Sequence, residues 1–246
     1  MRSTPRIPVP ILNKTEVFPP ASQATAEGLV AVGGDLGTDR LMLAYRSGIF
    51  PWFNDDSLIL WWSPDPRTVL FPQKLKISRS MNKVLSKNRF SVTRNRNFSE
   101  VITQCALVRR KNQSGTWITG RMLEAYEELH KLGHAVSYEV WEDKKLVGGL
   151  YGIDLGNVFC GESMFSLVSN ASKVAFIHMV RELGQKGYRC IDCQVYSDHL
   201  ASLGAEELPR EAFLRILKQA SAHDQQGLSN RRGWIDIFYG RSGKAA

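Results

Sequence analysis

Apolar and polar positions follow two periods along this chain, and the switch between them outlines its elements. From Thr119, RMLEAYEELHKLG sets Met122, Ala125, Tyr126, Leu129 and Leu132 at helical spacing, with Thr119 as cap and Gly133 as stop. AVSYEVW (135–141), LVGGLYGID (146–154) and NVFCGESMF (157–165) then read as successive antiparallel strands, turning at EDKK and DLGN. A helix from Ser169 or Asn170 to about Lys186 follows, ended by Gly187, and RCIDCQV (189–195) is a further strand. That strand is free to pair in parallel with its predecessor through a right-handed crossover. Upstream, Thr38 caps a short helix through about Ser47, and TVLFP (68–72) is a short strand. Ser78–Asn88 is a basic helix, Phe90–Thr93 a strand, Phe98–Val108 a helix and Pro209–Ala220 a last helix. This mixture predicts an α+β, or mixed α/β, fold. The Ser63-Pro-Asp-Pro66 turn divides it into a small N-terminal domain, 1–65, and a larger one, 66–246, whose tail after about 220 has no assignment.

Composition is that of a soluble globular protein, 43% hydrophobic and 23% charged. No apolar run approaches the roughly 20 residues of a membrane span. The N-terminus, MRSTPRIPVPILNK, is broken by prolines and is not a secretory signal. A cytoplasmic location is therefore expected, with Cys105, Cys160, Cys190 and Cys193 as free thiols. Cys190 and Cys193 form a C-x-x-C, but their odd offset on a strand points them to opposite faces, which suits neither a disulfide nor a shared metal. His130 and His134 are separated by the stop at Gly133, so they do not make a helix-face metal pair.

Charge is distributed unevenly. Residues 67–121 carry 13 basic residues and one acid, Glu100, a balance of +12, against a net +8 for the whole chain. Phosphate is the usual partner of such a segment. Trp52, Trp61, Trp62 and Trp117 flank it, and exposed aromatics beside a basic surface stack unpaired bases. Packing accounts more readily for Trp61 and Trp62 than for Trp52, which sits in a proline-bounded loop. The chain contains no G-x-S-x-G elbow, dinucleotide fingerprint or Walker A loop, which argues against a serine hydrolase, a nucleotide cofactor and ATP hydrolysis.

The strongest chemical signal lies at 158–195. Asp192 stands within an apolar strand, where an ionised carboxylate is costly unless paired or used. Gln194, two residues on, falls on the same face by strand alternation. The polar loop between the preceding strand and the helix carries a further acid, Glu162.

Several runs, in order, carry a family resemblance. They are GGDLGTDRLMLAYRSGIFPWF, LWWSPDPR, ISRSM, GTWITGRMLEAYEELHKLGHAVSYEVW, LVGGLYG, FCGESMFS, NASK, IDCQV and DHLASLGAEELPR, spanning roughly residues 28–220. Together they resemble leucyl/phenylalanyl-tRNA–protein transferases. The resemblance implies a small N-terminal domain followed by a core like the acyl-CoA N-acyltransferases. It implies transfer of Leu or Phe, less so Met, from aminoacyl-tRNA to the α-amino group of proteins beginning with Arg or Lys, which marks them for degradation. No metal, ATP or other cofactor is implied, and a monomer is expected. SLVSNASK lacks the glycines of a CoA pyrophosphate loop. A CoA-dependent N-acetyltransferase and a non-catalytic RNA-binding protein are the alternatives.

By resemblance, Asp192 and Gln194 are the catalytic candidates, orienting and polarising the attacking amine. Glu162 lies on the acceptor side, where it favours a cationic N-terminus. Trp52, Trp117 and Tyr126 match positions that hold the terminal adenosine. Leu150, Phe159, Gly161, Ser163, Met164, Met179 and Ile191 fall where the apolar amino-acid pocket is expected. Arg79 and Lys83 are the candidate tRNA-phosphate contacts. Ser197 replaces an Asn of the familiar pattern.

Overall fold

The computed structural model describes residues 9–13, 17–54, 58–108 and 118–219. The N-terminal part holds β1 (Ile11–Leu12), β2 (Leu29–Gly33), α1 (Thr38–Arg46), β3 (Phe50–Pro51) and β4 (Leu60–Trp62), and its four strands form a sheet of order β1-β2-β4-β3. Thr38 is the first residue of α1 rather than its cap. Gly37 holds the cap position, makes no side-chain bond, and donates its own N–H to Asp35 Oδ1 at 2.8 Å. The strands of this sheet are two to five residues long, too short to display a period.

The larger part follows as β5 (Arg67–Leu70), α2 (Arg79–Ser86), β6 (Ser91–Arg94), α3 (Phe98–Leu107), α4 (Gly120–Lys131), β7 (Ala135–Glu142), β8 (Lys145–Asp154), β9 (Val158–Ser166), α5 (Ala171–Gln185), β10 (Cys190–Gln194), α6 (Asp198–Ser202) and β11 (Glu206–Leu208). Helix α7 covers residues 210–219. Seven strands form one sheet of order β11-β5-β10-β9-β8-β7-β6. All its pairs are antiparallel except β9–β10, which α5 joins as a crossover. The parallel pair expected from the sequence is present, and the fold is mixed α/β.

Two of the caps are local and chemical. Ser78 and Thr119 accept the N–H of Met81 and Met122, three residues on, satisfying donors that each helix start leaves open. Helices cover both faces of the large sheet. On one side α5 packs Val174, Ile177 and Val180 against Val136, Leu150 and Ile191. On the other, α3 and α4 bury Val101, Met122, Tyr126 and Leu129 in a cluster that continues into the N-terminal part through Leu41, Tyr45 and Trp61. The two parts thus share one apolar core, and Trp61 is fully buried in it. No helix among the described residues is long and apolar enough to cross a membrane. The four cysteines are buried thiols outside any disulfide.

Candidate active site

A cavity of about 470 Å³ is lined from β3, β8, β9, α5, β10 and the segment that runs into α6. Its apolar part is continuous with the core beneath α5, where Leu150, Phe159, Met179 and Ile191 belong to one buried cluster. Trp52 stands at the N-terminal wall and is 39% exposed. Trp62 braces it edge-on at 6.3 Å and donates its Nε1–H to the Trp52 carbonyl at 2.7 Å.

One carboxylate, Glu162, is among the lining residues. Gln194 donates Nε2–H to Glu162 Oε1 at 2.9 Å, and the Tyr126 hydroxyl donates to Oε2 at 3.1 Å. Behind Tyr126 lies Tyr45, hydroxyl to hydroxyl, brought in by α1. Burial pushes the Glu162 carboxyl up to about 7, against the pull of the neighbouring Tyr45, Tyr126 and Gln194 side chains. Burial, reinforced by the Glu162 charge, also raises both tyrosines well above their ordinary value, so they stay protonated as donors.

Asp192 is 1% exposed and does not line the cavity. Its partner is Arg67, equally buried, which donates Nε–H to Oδ1 at 2.8 Å and Nη2–H to Oδ2 at 2.7 Å. Burial works against the Arg67 charge, but the Asp192 carboxylate outweighs it and raises its pKa. The expected common face of Asp192 and Gln194 is absent. The β5–β10 register shifts between them, and Gln194 sits at φ 63°, so period-2 alternation ends at Cys193. They are linked instead through the backbone, with Gln194 N–H donating to Asp192 Oδ1 at 3.0 Å.

Of the residues implied by the resemblance, Trp52, Leu150, Phe159, Gly161, Glu162, Ser163, Met164, Met179, Ile191 and Gln194 line this cavity. Tyr126 does not. It is fully buried, and its ring packs edge-on against Tyr151 at 5.6 Å. Tyr126 reaches the site through its hydroxyl, which donates to Glu162. Trp117 lies outside the described residues. Arg79 and Lys83 are exposed on α2, and among the described residues neither has an acidic partner within ion-pair distance, unlike Lys74, Arg89 and Arg94.

Arg67, Tyr45, Phe50, Phe176 and His199 also belong to the cavity or its support, and the sequence reading missed them. Arg67 had a usable signal, a lone cation at the head of the apolar run RTVL. Ser197, at the cavity mouth, caps α6 by accepting the Leu200 N–H, a task Asn performs about as well. Among the described residues no three His, Cys, Asp or Glu side chains converge as a metal cluster.

Residues 69–218 match the family model "Leucyl/phenylalanyl-tRNA protein transferase", and residues 34–65 match its N-terminal domain model. A leucyl/phenylalanyl-tRNA–protein transferase of Flavobacterium johnsoniae is 60% identical over 84% of this chain and 98% of its own length. One from Nitrosospira multiformis is 54% identical over 89% and 95%. Among solved structures, a conserved Bacteroides thetaiotaomicron protein of unknown function is 10% identical with a TM-score of 0.44, covering 71% of this chain and 64% of that one. A GCN5-related N-acetyltransferase from Kribbella flavida is 10% identical with a TM-score of 0.35, covering 73% and 64%. By two family models matched in order, and by relatives more than half identical over most of the chain, this protein belongs to the leucyl/phenylalanyl-tRNA–protein transferase family.

Proposed function

We propose that the protein, acting as a monomer in the cytoplasm, moves leucine or phenylalanine, and methionine less readily, from its tRNA to the α-amino group of proteins whose first residue is arginine or lysine, marking them for degradation. The observation that carries the acceptor side is Glu162, the one carboxylate among the described residues that line an otherwise mainly apolar cavity. Half-buried and held by two donors, Tyr126 and Gln194, it offers its remaining lone pairs to a cationic chain end.

The donor side is apolar. Leu150, Phe159, Met164, Met179 and Ile191 receive the aminoacyl side chain, and Gly161 and Ser163 keep the β9 wall narrow beside it. Such a pocket separates side chains by only about 1–3 kcal/mol per methylene, and two pliable methionines soften it further, so Leu and Phe are both accommodated. Trp52 stacks the terminal adenine, a contact worth roughly 1–3 kcal/mol. Trp117 is proposed for the same nucleoside on the family resemblance. Arg79 and Lys83, without acidic partners among the described residues, meet phosphates further along the acceptor end.

In the reaction the neutral α-amine attacks the ester carbonyl. The C–N bond forms, the bond to the ribose oxygen breaks, one amine proton leaves to the surroundings and the ribose oxygen gains one. Gln194 has its Nε2 tied to Glu162, which leaves its amide oxygen to accept an N–H of the amine and aim the lone pair. Asp192 acts behind it, without touching substrate.

A peptide series differing only in its first residue tests the acceptor assignment. Arg and Lys peptides should exceed a Gln peptide by about tenfold or more in kcat/KM, since a charge-assisted contact is worth about 1.5–3 kcal/mol. Equal rates for all three would refute it.

A further inference from the structure

Resting on the reading of Gln194 as the group that orients the amine, we infer that Arg67 is a positioning residue for transfer, because its fork on Asp192 holds the β10 bulge that turns Gln194 into the cavity. The contacts form a single chain of constraint. Asp192 Oδ1 accepts from Arg67 Nε and from the backbone N–H of Gln194. The first bond, with its partner from Nη2 to Oδ2, fixes the carboxylate plane. The second holds Gln194 at φ 63°, a left-handed conformation that a non-glycine residue keeps only when its surroundings impose it. Val195 N–H closes the turn onto the Cys193 carbonyl at 2.8 Å. From this turn the Gln194 side chain reaches Glu162.

Arg67 is itself held from three parts of the chain. It starts β5, whose partner β10 carries the bulge. Its guanidinium lies 4.8 Å from the ring of Phe50, a cavity wall residue of β3, and 4.8 Å from the ring of Phe213 on α7. Two aromatic rings thus flank the guanidinium, and Nη1 has no hydrogen-bond partner among the described residues. A charge enclosed this way, 1% exposed, is costly as a packing group alone. A fork matching a carboxylate in two bonds supplies direction, which a lysine would not.

The test uses the full-length enzyme with charged tRNA and an Arg-starting peptide, below the unfolding midpoint of every variant. Arg67→Lys keeps the charge and loses the fork; Arg67→Gln loses the charge as well. Misplacing a group by about 1 Å costs on the order of a hundredfold in rate. Arg67→Lys should therefore lower kcat by about 10- to 100-fold while KM for aminoacyl-tRNA stays within about threefold. Arg67→Gln should do so at least as strongly; if it does not fold, Arg67→Lys decides alone. A lower unfolding midpoint with kcat unchanged would reduce Arg67 to a structural residue and overturn the inference. A loss confined to KM would overturn it too. Gln194→Ala separates the two levels: an impaired Gln194→Ala beside a fully active Arg67→Lys removes only the Arg67 assignment, whereas a fully active Gln194→Ala removes the reading of Gln194 beneath it.

Discussion

Glu162→Gln should make the enzyme both slower and more stable above neutral pH. The carboxyl titrates at about 7 in the folded protein against an ordinary 4.5, and burial is the main cause. Between those values the folded state binds more protons than the unfolded state, so the group's contribution to stability falls as pH rises through that window. The full difference corresponds to about 3 kcal/mol, and the side chain's partial exposure reduces this to roughly 1–3 kcal/mol. A glutamine keeps an oxygen for the Gln194 amide and does not titrate. Denaturant unfolding at pH 8 should show the variant gaining that amount over wild type, with the gain vanishing near pH 4.5. Activity moves the other way. Wild-type kcat/KM for an Arg peptide should climb through pH 7 as Glu162 ionises, then through about pH 8 as the α-amine loses its proton. The variant should keep only the second rise and lose about tenfold or more at pH 8. A cationic acceptor favours ionised Glu162, so the first rise should sit lower in kcat than in kcat/KM.

Asp192→Ala should cost about 3–5 kcal/mol of stability, the largest single-site loss expected here. It leaves Arg67 charged, 1% exposed and without its carboxylate, and it strips the Gln194 N–H of its acceptor. Urea unfolding measures this directly, and a loss below about 1 kcal/mol would mean that water reaches the pair. An inactive Asp192→Ala cannot on its own assign chemistry to the carboxylate. Asp192→Asn is the sharper variant: it keeps an oxygen for Gln194 N–H and removes the charge and half of the fork. Its kcat should fall with KM for tRNA little changed.

The central elements were legible because their periods are long. The twelve residues of α4 repeat their burial often enough to fix its type, and β7 and β8, eight and ten residues long and buried almost throughout, are marked by length and by the turns that bound them. Two-residue strands such as β1 and β3 repeat nothing, and the N-terminal sheet shows only in the structure. Tyr126 carries a sharper lesson. Its place on the apolar stripe of α4 already argued for burial, while its hydroxyl bond to Glu162 on β9 has no local pattern to announce it. The rule that a buried carboxylate must be paired or used marked Asp192. Its partner lies 125 residues away, a distance no local pattern spans. The bulge at Gln194 was hidden for a related reason: nothing in CIDCQV announces a left-handed glutamine, because contacts from β5 impose it.

Transfer of labelled leucine from Leu-tRNA to a peptide beginning with a free Arg, beside the same peptide beginning with acetyl-Arg, tests the account most directly. Label should appear on the free-amine peptide alone, and Gln194→Ala should lower its rate about a hundredfold. Label on the acetylated peptide, or an undiminished rate in Gln194→Ala, would contradict the assignment of this cavity as the place where a free α-amine meets the aminoacyl ester.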